Sequence, residues 1–198
     1  MRSLIIKIVL AIIIFLLAYL VYESVQEPLR FNEKKEIIQK EVIQNLKDIR
    51  TSQLVFKRVH STYAANFDTL IDFVKYGEIA VVNMIADPDD TTFTKTINDT
   101  IGYLNVGDSL FKGRRAEIDS MRFIPHSGGQ VFKLEAGEIE RGGLKVAVFE
   151  ATAHYSTFLK DLDRQLVINL VKSKEDIDHF PGLKVGSMLE PSTDGNWE

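Results

Sequence analysis

The sequence predicts an α+β protein: an N-terminal transmembrane helix that continues into a long amphipathic helix packed on an antiparallel β-sheet. Three observations predict it. An apolar run opens the chain, a stretch with helical periodicity follows, and short Phe- and Val-rich runs separated by Gly pairs fill the second half.

The opening run is Leu4 to Tyr22, LIIKIVLAIIIFLLAYLVY, interrupted only by Lys7. A hydrocarbon core of ~30 Å needs about 20 helical residues. Lys7 lies in the first turns, where its stem reaches back to the headgroups, and Tyr19 and Tyr22 suit the far interface. A cleaved signal peptide is the rival reading. Its apolar core would be shorter and would end in small residues before the cut, whereas the exit here reads YLVYESVQEP. No cysteine is present to carry a lipid. Arg2 and Lys7 on the short side, against Glu23 and Glu27 on the other, orient the N-terminus to the cytoplasm. In a bacterium the expected location is the inner membrane, single-pass, with the C-terminal domain periplasmic. The expected organisation is a signal anchor over 1–24, an amphipathic stalk helix over 25–62 and an extracytoplasmic head over 63–198.

Charge separates stalk from head. Residues 30–60 hold eight Lys/Arg and four Asp/Glu, net +4, and residues 61–198 hold fourteen and twenty-two, net −8. An acidic head argues against nucleic-acid binding. The split fits contact between the head of one copy and the stalk of another, anionic lipid near the stalk, or simply a solvated helix. Twelve Phe and 45% hydrophobic residues mark a folded chain.

Pro28 predicts a kink or a new helix start within Ser24 to Leu29. Ile38, Val42, Ile49, Phe56 and Tyr63 then recur at four and seven, among charged residues, which predicts a helix of about thirty residues. Phe67 to Lys75 predicts a second helix, capped by Asp68 and ended by Gly77. Strands are expected at Ile79–Ile85, within Ile97–Val106, and at Arg122–Pro125, Gln130–Glu135 and Leu144–Glu150. The last three are joined by Ser127-Gly128-Gly129 and Arg141-Gly142-Gly143 turns into a meander. His154 to Asp163 reads as helix; Gln165 to Val171 is strand or helix, with Val167, Ile168 and Val171 leaning to strand. Phe180 to Glu198 reads as turns, its GNWE end either exposed or tucked in.

This order of elements resembles type IV pilins and the pseudopilins of type II secretion. The apolar segment starting near residue 4, Pro28 just past the membrane, the stretch Ile49-Arg50-Thr51-Ser52-Gln53-Leu54, and Tyr63 with Phe67-Asp68-Thr69-Leu70 carry the resemblance. It implies a membrane-embedded first half of the helix, a second half packed on a small antiparallel sheet, and a role in assembly. The family's glycine before a processing site and its glutamate five residues into the mature chain have no counterpart in MRSLIIKIVL.

No catalytic grouping stands out, and the chain is not expected to be an enzyme or to carry a cofactor. His60, His126, His154 and His179 lack metal-ligand spacing, and Ser187 in VGSML lacks the second glycine of a nucleophile elbow. Asp87, Asp89 and Asp90 form an oxygen-rich cluster without the turn glycine and closing glutamate of a calcium loop, so a solvated loop is the better reading. Asp followed by Ser or Thr and an apolar residue or Thr occurs five times, where composition gives roughly one. This looks like the acceptor motif of a periplasmic O-glycosylation system, with Thr91, Thr100 and Ser109, in predicted loops, as acceptors; turn and cap chemistry is the plainer explanation.

The expected function is therefore a membrane-anchored, extracytoplasmic structural or assembly component of a bacterial envelope machine, such as a secretion, pilus-like or motility apparatus. It would act through protein partners or self-association, with residues 4–22 in the bilayer. The alternative is an anchored periplasmic module that binds a small ligand or glycan.

Overall fold

The computed structural model describes residues 2–86 and 96–198, with side chains from 6 to 82 and from 100 to 198. Its dominant element is α1, Arg2–His60, a single helix of 59 residues. Its N-terminal part is long and apolar enough to cross a membrane, and none of that apolar window is buried against the head.

Of the kink or new helix start expected at Pro28, the new start is not found: α1 runs through the proline as one helix. Proline removes one backbone hydrogen bond, to the Ser24 carbonyl. Ser24 is exposed just beyond the apolar run, so that carbonyl is not left buried without a partner.

The distal half of α1 is the spine of the head. Val42, Leu46, Ile49, Gln53 and Phe56 are buried and recur at alternating spacings of four and three, one stripe of a helix. After a turn, α2 (Phe67–Tyr76) lays Phe67, Leu70, Ile71 and Val74 on the same core. Asn66 caps α2 by accepting from the Thr69 amide at 2.8 Å. The expected cap, Asp68, instead pairs with Arg122, because Asn66 already occupies the position three residues before the free amide. A Cβ on Gly77 would meet the Phe73 carbonyl at 2.4 Å, which explains the glycine between α2 and the next strand.

Two separate sheets follow. Strands β1 (Glu78–Ala86) and β2 (Thr96–Asn105) form an antiparallel ribbon of two, with a bulge between Val81 and Val82. The short helix α3 (Val106–Phe111) returns the chain to the core through Val106 and Phe111. Arg122–Pro125 is not a strand. Ser120–Arg122 forms a 3-10 turn, and Phe123 makes one bridge to Val131, because the loop through Pro125 and the left-handed Gly128 and Gly129 closes too tightly for a ladder. The second sheet has the order β3-β4-β5, with β3 at Lys133–Arg141, β4 at Leu144–His154 and β5 at Gly182–Gly186. Gly142 and Gly143, both at positive φ, make the two-residue β3–β4 turn that the sequence announces. Phe149, Ala151 and Ala153 alternate inward along β4 into the core, with the Phe149 ring 4.7 Å from that of Tyr63 in the turn after α1.

Between β4 and β5, α4 (Tyr155–Phe158) is shorter than expected, and α5 (Arg164–Glu175) replaces the strand favoured for Gln165 to Val171. Asp163 accepts from the Leu166 amide at 2.9 Å, and Val167, Leu170 and Val171 turn one helical face to the core. Of the β-branched residues that suggested a strand, Val167 and Val171 lie on the core-facing side of a helix. Strand β5 was hidden in a segment rich in turn residues.

Candidate functional site

The C-terminal segment is tucked in, and it lines a concavity of the head. The Asn196 amide donates to the Lys184 carbonyl at 3.0 Å, and its side chain bridges the Lys184 amide and the Gly182 carbonyl. The Gly186 amide donates to Asp194 at 3.0 Å, so the tail runs beside β5 as a partial extra strand. Arg50 of α1 fastens its end, with 2.8 Å between its guanidinium and the Glu198 carboxylate. That contact holds the Glu198 carboxyl below the usual glutamate range, against the opposing effect of burial.

Between this tail, α1 and the loop after α5 lies a cleft of about 450 Å³. Tyr155, Phe180 and Trp197 supply aromatic walls, and Gln39, Lys174, His179, Lys184 and Asn196 bring polar groups to it. The loop is shaped locally: the His179 amide donates to the Lys174 carbonyl at 3.0 Å, with Asp178 in the left-handed region at φ 55°. Gly182 is required where β5 begins, because a Cβ would stand 2.2 Å from the Ala153 carbonyl. Burial pushes the Tyr155 hydroxyl above the ordinary tyrosine value, and a hydrogen bond with Gln39 opposes the shift. The Trp197 indole nitrogen is buried without a hydrogen-bond partner among the described residues. Aromatic faces with converging polar tips, at this volume, are suited to hold a small polar ligand.

A second hollow, about 420 Å³, lies lower on α1 between Glu23, Glu27, Arg30, Lys34, Asp161 and Asp163. It shows the head seated on α1 from the first polar residues after the apolar run.

The four histidines are not brought together. His60 stacks on Phe56 at 4.3 Å, His126 pairs with Glu41 at 2.9 Å, His154 faces Ser156, and only His179 reaches the cleft. No group of three or more His, Asp or Glu able to hold a metal occurs among the described residues. Asp87, Asp89, Asp90 and Thr91 lie outside those residues. Thr100 is exposed but sits in β2 opposite Val82, and Ser109 is exposed in α3, so neither occupies the loop expected for it. Ser187 accepts from the Leu189 amide as a turn residue.

No family model matches the chain, and no curated protein or solved structure matches it.

Proposed function

We propose that this chain is a membrane-anchored structural or assembly component of a bacterial envelope apparatus, with its head on the periplasmic side, acting through protein–protein contacts. One observation carries the reading: the helix that fits the bilayer is the same unbroken helix whose distal half forms the core of the head. A flexible tether would let the head turn freely. A continuous helix instead fixes the height and orientation of every copy in the same membrane, which is what lateral assembly needs. The order of a long helix and then antiparallel sheets that contact it is also that of pilins and pseudopilins, and kinship with them is part of this proposal. Gentle-detergent extraction of the intact chain from its native membrane, with mass spectrometry of what co-purifies, tests it. Stoichiometric recovery of envelope subunits or of its own oligomers is expected; a lone monomer would overturn it.

The aromatic cleft beneath the tail favours a second reading, a module that binds a small ligand or glycan. Trp197 is the sole tryptophan and lines that cleft, so its fluorescence reports occupancy directly. A saturable change with a mono- or oligosaccharide series would support this reading, and an unchanged signal across the series would remove it. Thr91, Thr100 and Ser109 are proposed glycan acceptors on either reading, and an intact mass equal to the bare chain would end that idea.

A further inference from the structure

The hollow low on α1 begins where the apolar run ends. Glu23 follows Tyr22 directly, and Glu23, Glu27, Arg30, Phe31 and Lys34 recur at helical spacing on one face of α1. Asp161, Leu162 and Asp163, with Leu166 from the first turn of α5, close the hollow from the head. The far end of α5 reaches the cleft beside Gln39 and Ile43 through Lys174, so α5 climbs along α1 and starts at the end nearer the apolar run. The polar layer of a bilayer adds about 5–8 Å to each side of the hydrocarbon core. Glu23 to Glu27 is a rise of about 6 Å. With residues 4–22 spanning the core, the lower part of the hollow therefore stands among lipid headgroups.

Its charges are of both signs and largely unspent. Arg30 and Glu23 are 3.9 Å apart, too far for a hydrogen bond. Glu27, Lys34, Asp161 and Asp163 form no ion pair among the described residues. Asp163 spends one carboxylate oxygen on the Leu166 amide. Four carboxylates against two cations leave the hollow net negative, which disfavours an anionic lipid. Phe31, Leu162 and Leu166 add apolar wall, beside which charges are screened less than in open water. The volume of about 420 Å³ admits a small organic group rather than a lone ion.

We propose that this hollow binds the headgroup of a zwitterionic phospholipid that carries a primary ammonium, the phosphatidylethanolamine type. The carboxylates of Glu27 and Asp161 accept from the ammonium, and Arg30 and Lys34 take the phosphate. A primary ammonium offers three N–H donors, as a lysine does. A choline headgroup carries the same charge and no N–H, and a glycerol headgroup carries no positive charge at all. A lipid held there bridges α1 and the α4–α5 turn and seats the head on the bilayer surface. The inference rests on the anchored reading, with residues 4–22 in the bilayer.

The full-length chain is reconstituted with equal parts of ethanolamine, choline and glycerol phospholipids of matched acyl chains. It is then extracted in mild detergent, and native mass spectrometry counts the lipids it retains. One ethanolamine lipid per chain is expected, at least about five-fold above either competitor. Glu27→Gln with Asp161→Asn should bring the ethanolamine lipid down to the choline level without moving the thermal midpoint, since both side chains are exposed. Glu175→Gln, exposed at the other end of α5, should leave retention unchanged. Water-soluble glycerophosphoethanolamine in large excess should not displace the lipid; displacement would make the occupant a soluble molecule and overturn the lipid. A chain that stays in the membrane through alkaline carbonate but holds the three lipids alike, prefers the glycerol lipid, or is indifferent to the double substitution would overturn this site alone. Release by carbonate would overturn the anchored reading and the site with it.

Discussion

At the scale of single residues, the joint between α1 and the head depends on Gln53. Its side chain is fully buried, donates to the Ala64 carbonyl at 2.8 Å and accepts from the Ala64 amide at 2.9 Å. Replacing it with the similarly sized Gln53→Leu leaves two buried backbone groups unpaired. The expected cost is about 2–4 kcal/mol, read as a lower urea midpoint with an unchanged slope. Its neighbour Ser52 is the control: its hydroxyl is buried with no partner among the described residues, so Ser52→Ala should be neutral or slightly stabilising. Glu198 makes a pH-dependent contribution. Its carboxyl is lowered in the folded chain, so its contact with Arg50 is fully present above the unfolded value and is lost as pH falls through the folded one. Trp197 fluorescence should hold steady from about pH 7 to 5 and change below about 4.5. Glu198→Gln should abolish that step; a step that survives would place its origin in another carboxylate.

At the scale of elements, what the sequence made legible followed from periodicity. The buried positions Val42, Leu46, Ile49 and Phe56 stand out at helical spacing, and the Gly142-Gly143 turn with its flanking strands is local chemistry. The misread elements depend on partners distant in sequence. Val167 and Val171 read as strand until the Asp163 cap and the core behind them are known. Strand β5 has only five residues, and it is a strand because β4 lies beside it. The cleft was illegible for the same reason: Gln39, Tyr155, His179 and Trp197 come from four separate stretches of chain. The helix face that packs the head gives a direct contrast. Leu46→Ala removes a fully buried side chain and should cost about 2–5 kcal/mol, whereas Leu54→Ala, on the exposed face, should change the melting midpoint little.

At the scale of the whole molecule, the basic stalk of the sequence is the spine of its acidic head. The stalk is no free-standing rod. Its inner face is core, its outer face keeps Lys40, Lys47 and Arg58 in solvent, and Arg114 from the head clamps Asp48 through two contacts at 3.1 Å. Two carboxylates, Asp48 and Glu117, hold the Arg114 guanidinium well above its ordinary value, so the arginine of this clamp keeps its charge wherever the chain folds. The apolar segment that is long enough to cross a membrane and the spine of the head are parts of one helix. The proposal for assembly depends on this continuity.

The most direct test of that continuity is a distance measurement across Pro28. Spin labels at Ser24→Cys and Thr51→Cys, in the full-length chain reconstituted in lipid and diluted with unlabelled copies, are separated by 27 helical steps, or about 40 Å between backbones. A single narrow distribution near that value is expected. A broad or much shorter distribution would mean that the helix bends or breaks at Pro28, and that the head is tethered to its anchor rather than fixed on it.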